Sequence, residues 1–172
     1  MTCTRVAFLA PAVVALTLSA CGGGSSSEGP VPYCPAPFTV QDAERLTHFK
    51  DGPGRDPRDI AYEAMVAGAT TTCRATSQQI NVTLLMKITA VAGPSVGASL
   101  TRVPYFVRVI DANRTVVQGQ DFLADFRLSA RNPRATSQEE LTLALPRDGS
   151  YGIAIGLKPT PEELNYNRRG GR

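Results

Sequence analysis

Tryptophan is absent from these 172 residues, and histidine occurs once, at His48. One imidazole cannot build a multi-histidine metal site, and it leaves a single candidate base for any serine–histidine arrangement. No Cys-x-x-Cys pair is present. Lysine is scarce, with three residues against fifteen arginines, and the formal net charge is only +3. So small a bias gives no general reason to expect nucleic-acid binding. The only long apolar run, Val6–Leu18, has thirteen residues. That is too short for a helix across roughly 30 Å of hydrocarbon.

What is there begins with an address. Met1–Arg5 carries one positive charge, Val6–Leu18 follows as an uncharged core, and Leu18-Ser19-Ala20-Cys21 closes the segment. Head, core and small residues before a cut are the order of a secretory signal peptide, expected over residues 1–20. The tetrad resembles the lipobox of bacterial lipoproteins. That resemblance implies cleavage before Cys21 and a diacylglyceryl thioether on its sulfur, then N-acylation. Each buried methylene contributes roughly 0.8 kcal/mol, so two or three chains hold a membrane durably. Gly22 is not the aspartate that commonly retains such proteins at the inner membrane. The expected location is therefore the periplasmic face of the outer membrane. Gly22–Pro30 is rich in glycine and serine, the composition of a tether, expected over residues 21–32.

With Cys3 lost and Cys21 lipidated, Cys34 and Cys73 remain. An even pair in an oxidising compartment reads as a disulfide closing a loop of about 40 residues, with an upper stabilisation of about 4 kcal/mol. A two-cysteine metal site would need further ligands.

Along the mature chain the hydrophobic period changes. Thr39 and Asp42 suggest a cap, and Val40, Ala43 and Leu46 share a helical face, so a short helix is expected near 40–48. Asp51–Asp59 then breaks it with two glycines and two prolines. From Ile60 the period becomes two. Ile60–Val66 alternates, and Ile80, Val82, Leu84, Met86, Ile88 and Ala90 point one way through the clearest strand, 79–91. Further strands are expected at Tyr105–Ile110, at 116–128 with a bulge near Gly119, at Leu141–Leu145 and at Tyr151–Leu157. Asp111–Arg114 and Arg147–Ser150 read as turns. Thr160-Pro161-Glu162-Glu163 forms a second cap, predicting a one- or two-turn helix that docks Leu164 and Tyr166. The expected fold is all-β: an antiparallel two-sheet, immunoglobulin-like sandwich over residues 33–167, followed by a basic flexible tail at 168–172. A small closed barrel is the alternative.

Four phrases carry a wider resemblance: Cys34-Pro35, Gly52–Asp56, Val103–Val107 and Thr160–Arg168. Together they resemble a group of uncharacterised envelope lipoproteins of alphaproteobacteria. The resemblance implies the same lipidated, disulfide-bonded domain and carries no substrate or catalytic residue.

The residues offer little chemistry. Glu44 lies four positions before His48, which suggests a local surface pair on the expected helix. Asp51, Asp56 and Asp59 could ligate a hard cation, but Arg55 and Arg58 offer them internal partners. Asn81 and Asn113 match glycosylation sequons by chance. The expected function is a non-catalytic envelope module without cofactor, anchored to the membrane through Cys21. It would bind an envelope protein or a cell-wall partner. Its surface would include Tyr105, Phe106 and the small residues Gly152, Ala154 and Gly156. The alternatives are a carrier of a small apolar ligand, which needs an internal cavity, and a hydrolase using Asp121 and Asp125.

Overall fold

A computed structural model describes residues 33–98 and 100–170. The signal-peptide segment, Cys21, the tether and residues 171–172 lie outside the described residues. Eight strands form two four-stranded sheets facing one another as a sandwich, with no closed barrel among the described residues. The strands are β1 (Pro37–Thr39), β2 (Arg45–Phe49), β3 (Ile60–Ala75), β4 (Gln79–Ala92), β5 (Thr101–Asp111), β6 (Val116–Phe126), β7 (Arg134–Pro146) and β8 (Tyr151–Leu157). One helix, α1 (Pro161–Gly170), follows them. Sheet order is β1-β8-β5-β6 in the first sheet and β2-β3-β4-β7 in the second. Among the described residues no helix is long and apolar enough to cross a membrane.

Strand β4 is the spine of the second sheet. Its inward residues Ile80, Val82, Leu84, Met86, Ile88 and Ala90 are all at most 2% exposed. They meet Val103, Tyr105, Val107 and Val109 of β5 and Ile153, Ile155 and Leu157 of β8 across the core. Each large aliphatic side chain buried this way contributes about 1.5–3 kcal/mol.

Several elements differ from expectation. Residues 40–48 are not a helix. Asp42 adopts φ 64 in a turn, and Arg45–Phe49 pairs antiparallel with β3. Leu46 faces the core as an edge-strand residue, while Ala43 sits over the small face of β8, so the helical spacing of these apolar positions was coincidental. Strand β3 runs nine residues past Val66 to Ala75. Val66 pairs with Ile88 and Gly68 with Lys87, so Ala67 is an extra residue that shifts the alternation by one. Strand β1 pairs parallel with β8, so the first sheet is mixed. The bulge in β6 falls at Val117, two residues before Gly119, since Val109 pairs with Gln118 and Ile110 with Val116. Gly119 serves a different purpose: a β-carbon there would lie 2.5 Å from Cδ of Arg108, whose guanidinium crosses to the Gln120 carbonyl and Asp121. Helix α1 continues to Gly170 and takes in Arg168 and Arg169, which were expected in a flexible tail.

Cys34 and Cys73 are joined, with their Cα atoms 5.7 Å apart. Cys73 lies within β3. The bond therefore ties the lead-in to β1 of the first sheet onto the second sheet. Thr71 reinforces it by donating its hydroxyl to the Pro35 carbonyl at 2.7 Å. Reduction, or a Cys34→Ser/Cys73→Ser chain, is expected to lose about 2–4 kcal/mol, read as a lower denaturant midpoint with an unchanged folded far-ultraviolet spectrum.

Candidate functional site at the helix pole

The loop 50–59, residues 93–98 after β4, the 127–133 connection and helix α1 gather at one end of the sandwich. Local chemistry shapes each wall there. Asp56 caps a single 3-10 turn at Pro57–Asp59, accepting the Arg58 amide at 2.9 Å. The Asp56 carboxylate also holds the Arg58 guanidinium, and Asp59 holds Lys50 at 2.7 Å. These bonds keep the Asp56 and Asp59 carboxyls below the ordinary carboxylate value. Two of the three loop carboxylates considered as cation ligands are thus engaged by cations of the chain itself.

Helix α1 starts with the expected capping box. The Thr160 hydroxyl accepts the Glu163 amide at 3.3 Å, and the Glu163 carboxylate accepts the Thr160 amide at 2.7 Å. The second carboxylate oxygen of Glu163 meets Nδ1 of His48 at 2.6 Å. Glu44, the partner expected for His48, is exposed, and its carbonyl accepts the Val66 amide at 3.0 Å. Burial pushes the Glu163 carboxyl up, but the bonds from His48 and Thr160 outweigh it and hold it below the ordinary value. Because an ionised carboxylate only accepts, Nδ1 of His48 carries the proton in this pair. Behind His48 the Tyr62 ring stacks at 4.8 Å, and its hydroxyl donates to the Arg102 carbonyl at 3.0 Å. Burial and the nearby Glu163 charge push that hydroxyl's pKa up, so it stays a donor.

Arg55 completes the wall. Its guanidinium donates to the Gly52 and Gly54 carbonyls at 2.9 and 2.7 Å, pairs with Glu162, and lies 5.4 Å over the Phe49 ring. Phe49 in turn meets Tyr166 edge-on at 4.9 Å. The result is a cleft of about 500 Å³ lined by His48, Lys50, Asp51, Arg55 and Thr160. A second hollow of about 620 Å³, bounded by Pro53, Asn165, Tyr166 and Arg169, shares Arg55 and Glu162 with it. Sequence reasoning found the Thr160–Glu163 cap and missed the cleft. His48 and Glu163 are 115 positions apart, and no local signal joins them.

The other expected site residues fall elsewhere. Tyr105 is 3% exposed, stacked on Phe122 at 5.1 Å and bonded to Glu139 at 3.1 Å. Ala154 and Gly156 are buried, and Phe106 and Gly152 half-buried. A β-carbon at Gly156 would sit 2.6 Å from that of Ala43 and 2.8 Å from the Phe106 ring; one at Gly152 would sit 3.2 Å from Phe38. The small residues do admit bulky neighbours, but the neighbours belong to the chain itself. This face is therefore not the open partner surface expected of it. Asp121 lies between Lys158 and Arg108 on the outside of the first sheet, and those bonds lower its pKa. Asp125 stands four residues on, about 13 Å along the strand, too far for either carboxylate geometry of a glycosidase. Between the sheets, the hollow at Val107, Gln118, Phe122 and Leu143 holds about 50 Å³. A small-molecule pocket needs about 300 Å³ or more.

No protein-family model matches this chain, and neither the curated proteins nor the solved structures gave a match.

Removal of the Glu163 carboxylate leaves Nδ1 of His48 and the Thr160 amide without their partner, so Glu163→Ala is expected to cost about 1–3 kcal/mol at neutral pH. The depressed carboxyl contributes stability that is complete above its reference value of 4.5 and is lost as pH falls through the lower folded value. Denaturant midpoints measured from pH 7 downward should converge for the two chains in acid. A constant gap would show that the carboxylate's charge is not what matters.

Proposed function

We propose that this chain is a lipid-anchored bacterial envelope protein that binds a partner through the helix-pole cleft and performs no chemistry of its own. The single observation that carries the reading is the cleft's fixed lining. Arg55, Glu162, His48 and Glu163 are each locked by hydrogen bonds within the chain. Such preorganisation lowers the ordering cost of binding a polar surface. Leu18–Cys21 supports the anchor, and the Cys34–Cys73 bond suits an oxidising compartment such as the periplasm. The membrane in question is the outer one, as Gly22 implies, and the partner is an envelope protein or a cell-wall polymer.

One observation favours a second reading. A buried carboxylate on Nδ1 of a cleft-lining histidine orients the ring as general bases are oriented. Against it, the only hydroxyl lining the cleft, that of Thr160, already accepts the Glu163 amide. Water would have to be the nucleophile, so a hydrolase would lose turnover in a His48→Gln chain while keeping ligand affinity.

A photo-cross-linker at Asn165 in cells should capture one dominant partner, and Glu162→Arg should reduce that capture severalfold. The Cys21→Ala form should lose it through release from the membrane. Capture that is indifferent to both changes would count against the cleft.

A further inference from the structure

The described chain enters at the end of the sandwich opposite the helix. Cys34 is fixed to Cys73, near the end of β3, and β1 then runs parallel to β8 toward α1. The turn between β3 and β4 lies at that entry end, because Ala75 pairs with Ile80. So do the β7–β8 turn, because Gln79 pairs with Pro146, and the β5–β6 turn, because Asp111 pairs with Tyr151.

The two ends have different surfaces. Ion pairs crowd the helix end: Lys50–Asp59, Arg55–Glu162, Arg58–Asp56 and Arg168–Asp42. The turn end exposes more large apolar surface, with Tyr33 at 55%, Val116 at 55% and Val117 at 53%, against Leu100 at 42% at the helix end. Val117 is the unpaired bulge residue, and neither valine closes the core. Beside them Arg114 is exposed at φ 64 in a turn whose carboxylate, Asp111, is taken up by the Asn113 and Thr115 amides.

We propose that the turn end lies on the bilayer that holds Cys21, with Tyr33, Val116 and Val117 entering the interface and Arg114 meeting anionic headgroups. This rests on the lipid-anchored reading. Residues 21–32 separate the anchor from Tyr33, and a chain of that length spans at most about 40 Å. Cys73 pairs with Val82, so the entry point lies ten residues of β4 short of Ala92, about 33 Å, with the 50–59 loop and α1 beyond. Setting the helix end on the membrane with the turn end outward would therefore need a tether near its full length, where a glycine- and serine-rich chain of twelve residues spans about 20 Å on average. The tether does keep the turn end within constant reach of lipid, so a weak apolar contact is made at high effective concentration. Apolar side chains beside a basic residue are what a headgroup region accepts. The cleft then projects away from the bilayer, toward whatever it binds.

The test uses the purified, lipid-carrying chain in vesicles of phosphatidylethanolamine and phosphatidylglycerol. An environment-sensitive fluorophore is placed at Val117→Cys, at Leu123→Cys on the outside of the first sheet, or at Asp51→Cys at the helix end. All three positions are on the surface, and circular dichroism checks the fold of each. Iodide quenching at position 117 should be severalfold weaker than at 51 or 123, with a blue-shifted emission. Equal quenching at 117 and 51, or stronger protection at 123, overturns the orientation. Protection at 117 that persists without vesicles in the Cys21→Ala form overturns it too, because a second copy then covers the patch. Mass spectrometry of the Cys21 peptide on the same sample separates the two claims. Acyl chains present with 117 fully quenched removes the orientation alone; their absence removes the anchored reading and this one with it.

Discussion

Strand β4 has to bury six side chains on one face while both of its edges are hydrogen-bonded, and the molecule is arranged to meet that demand. Strands β3 and β7 run along nearly its whole length, so the second sheet is as long as β4. The facing sheet must supply an equally continuous apolar surface, and β5 and β8 do so. A slip of one residue would put Asn81, Thr83 and Lys87 into the core, so the register is strongly specified. The bulge at Ala67 follows from the same demand. Val66 packs on the core, and after the extra residue Ala69 and Cys73 face it again, with the pairing to β4 restored.

Edges are the next constraint. Strand β2 is the outer strand of the second sheet, and an uncovered edge invites pairing with other chains. Helix α1 covers it. Tyr166 packs on Phe49, Asn167 donates to the Arg45 carbonyl at 3.1 Å, and Arg168 holds Asp42. Glu163 joins the two duties in one side chain: it caps the helix and pins it to His48 on β2. The cleft lies where the helix that covers β2 starts beside the 50–59 loop.

How much of this could be read in the residues depends on how local its cause is. Strands β4, β5 and β8 were legible because their alternation is unbroken and their turns carry Asp, Gly or Pro. Half of β3 was not, since the bulge at Ala67 hides the continuation and Thr70–Thr72 looks polar. Segment 40–48 misled for the opposite reason. Val40, Ala43 and Leu46 stand at helical spacing, but tertiary pairing with β3 overrides that weak pattern. Both faces of β5 carry apolar residues, so the sequence could not say that Tyr105 points inward. The disulfide needed only a count of cysteines. The site's central contact, by contrast, joins residues from opposite ends of the domain, and only the cap half of Glu163's role leaves a sequence mark.

The arrangement of charge at the helix end fits the proposed binding role better than it fits turnover. Catalysis draws on groups poised and unspent, with a nucleophile in reach of a base. Here the Thr160 hydroxyl is committed to the helix cap, and Arg55 to two carbonyls and Glu162. A partner gains little from any one of these groups, because each must be shared with an existing bond. Affinity from such a surface is modest, and a free domain would use it poorly. Confinement changes that balance. A domain held within about 40 Å of a membrane meets partners in that layer at an effective concentration that can exceed either affinity's demand. On the proposed lipid-anchored reading, a paired, rigid cleft at one end and a tethered entry at the other would be two parts of one solution: the surface would supply selectivity, and the anchor the occupancy that the surface alone would lack.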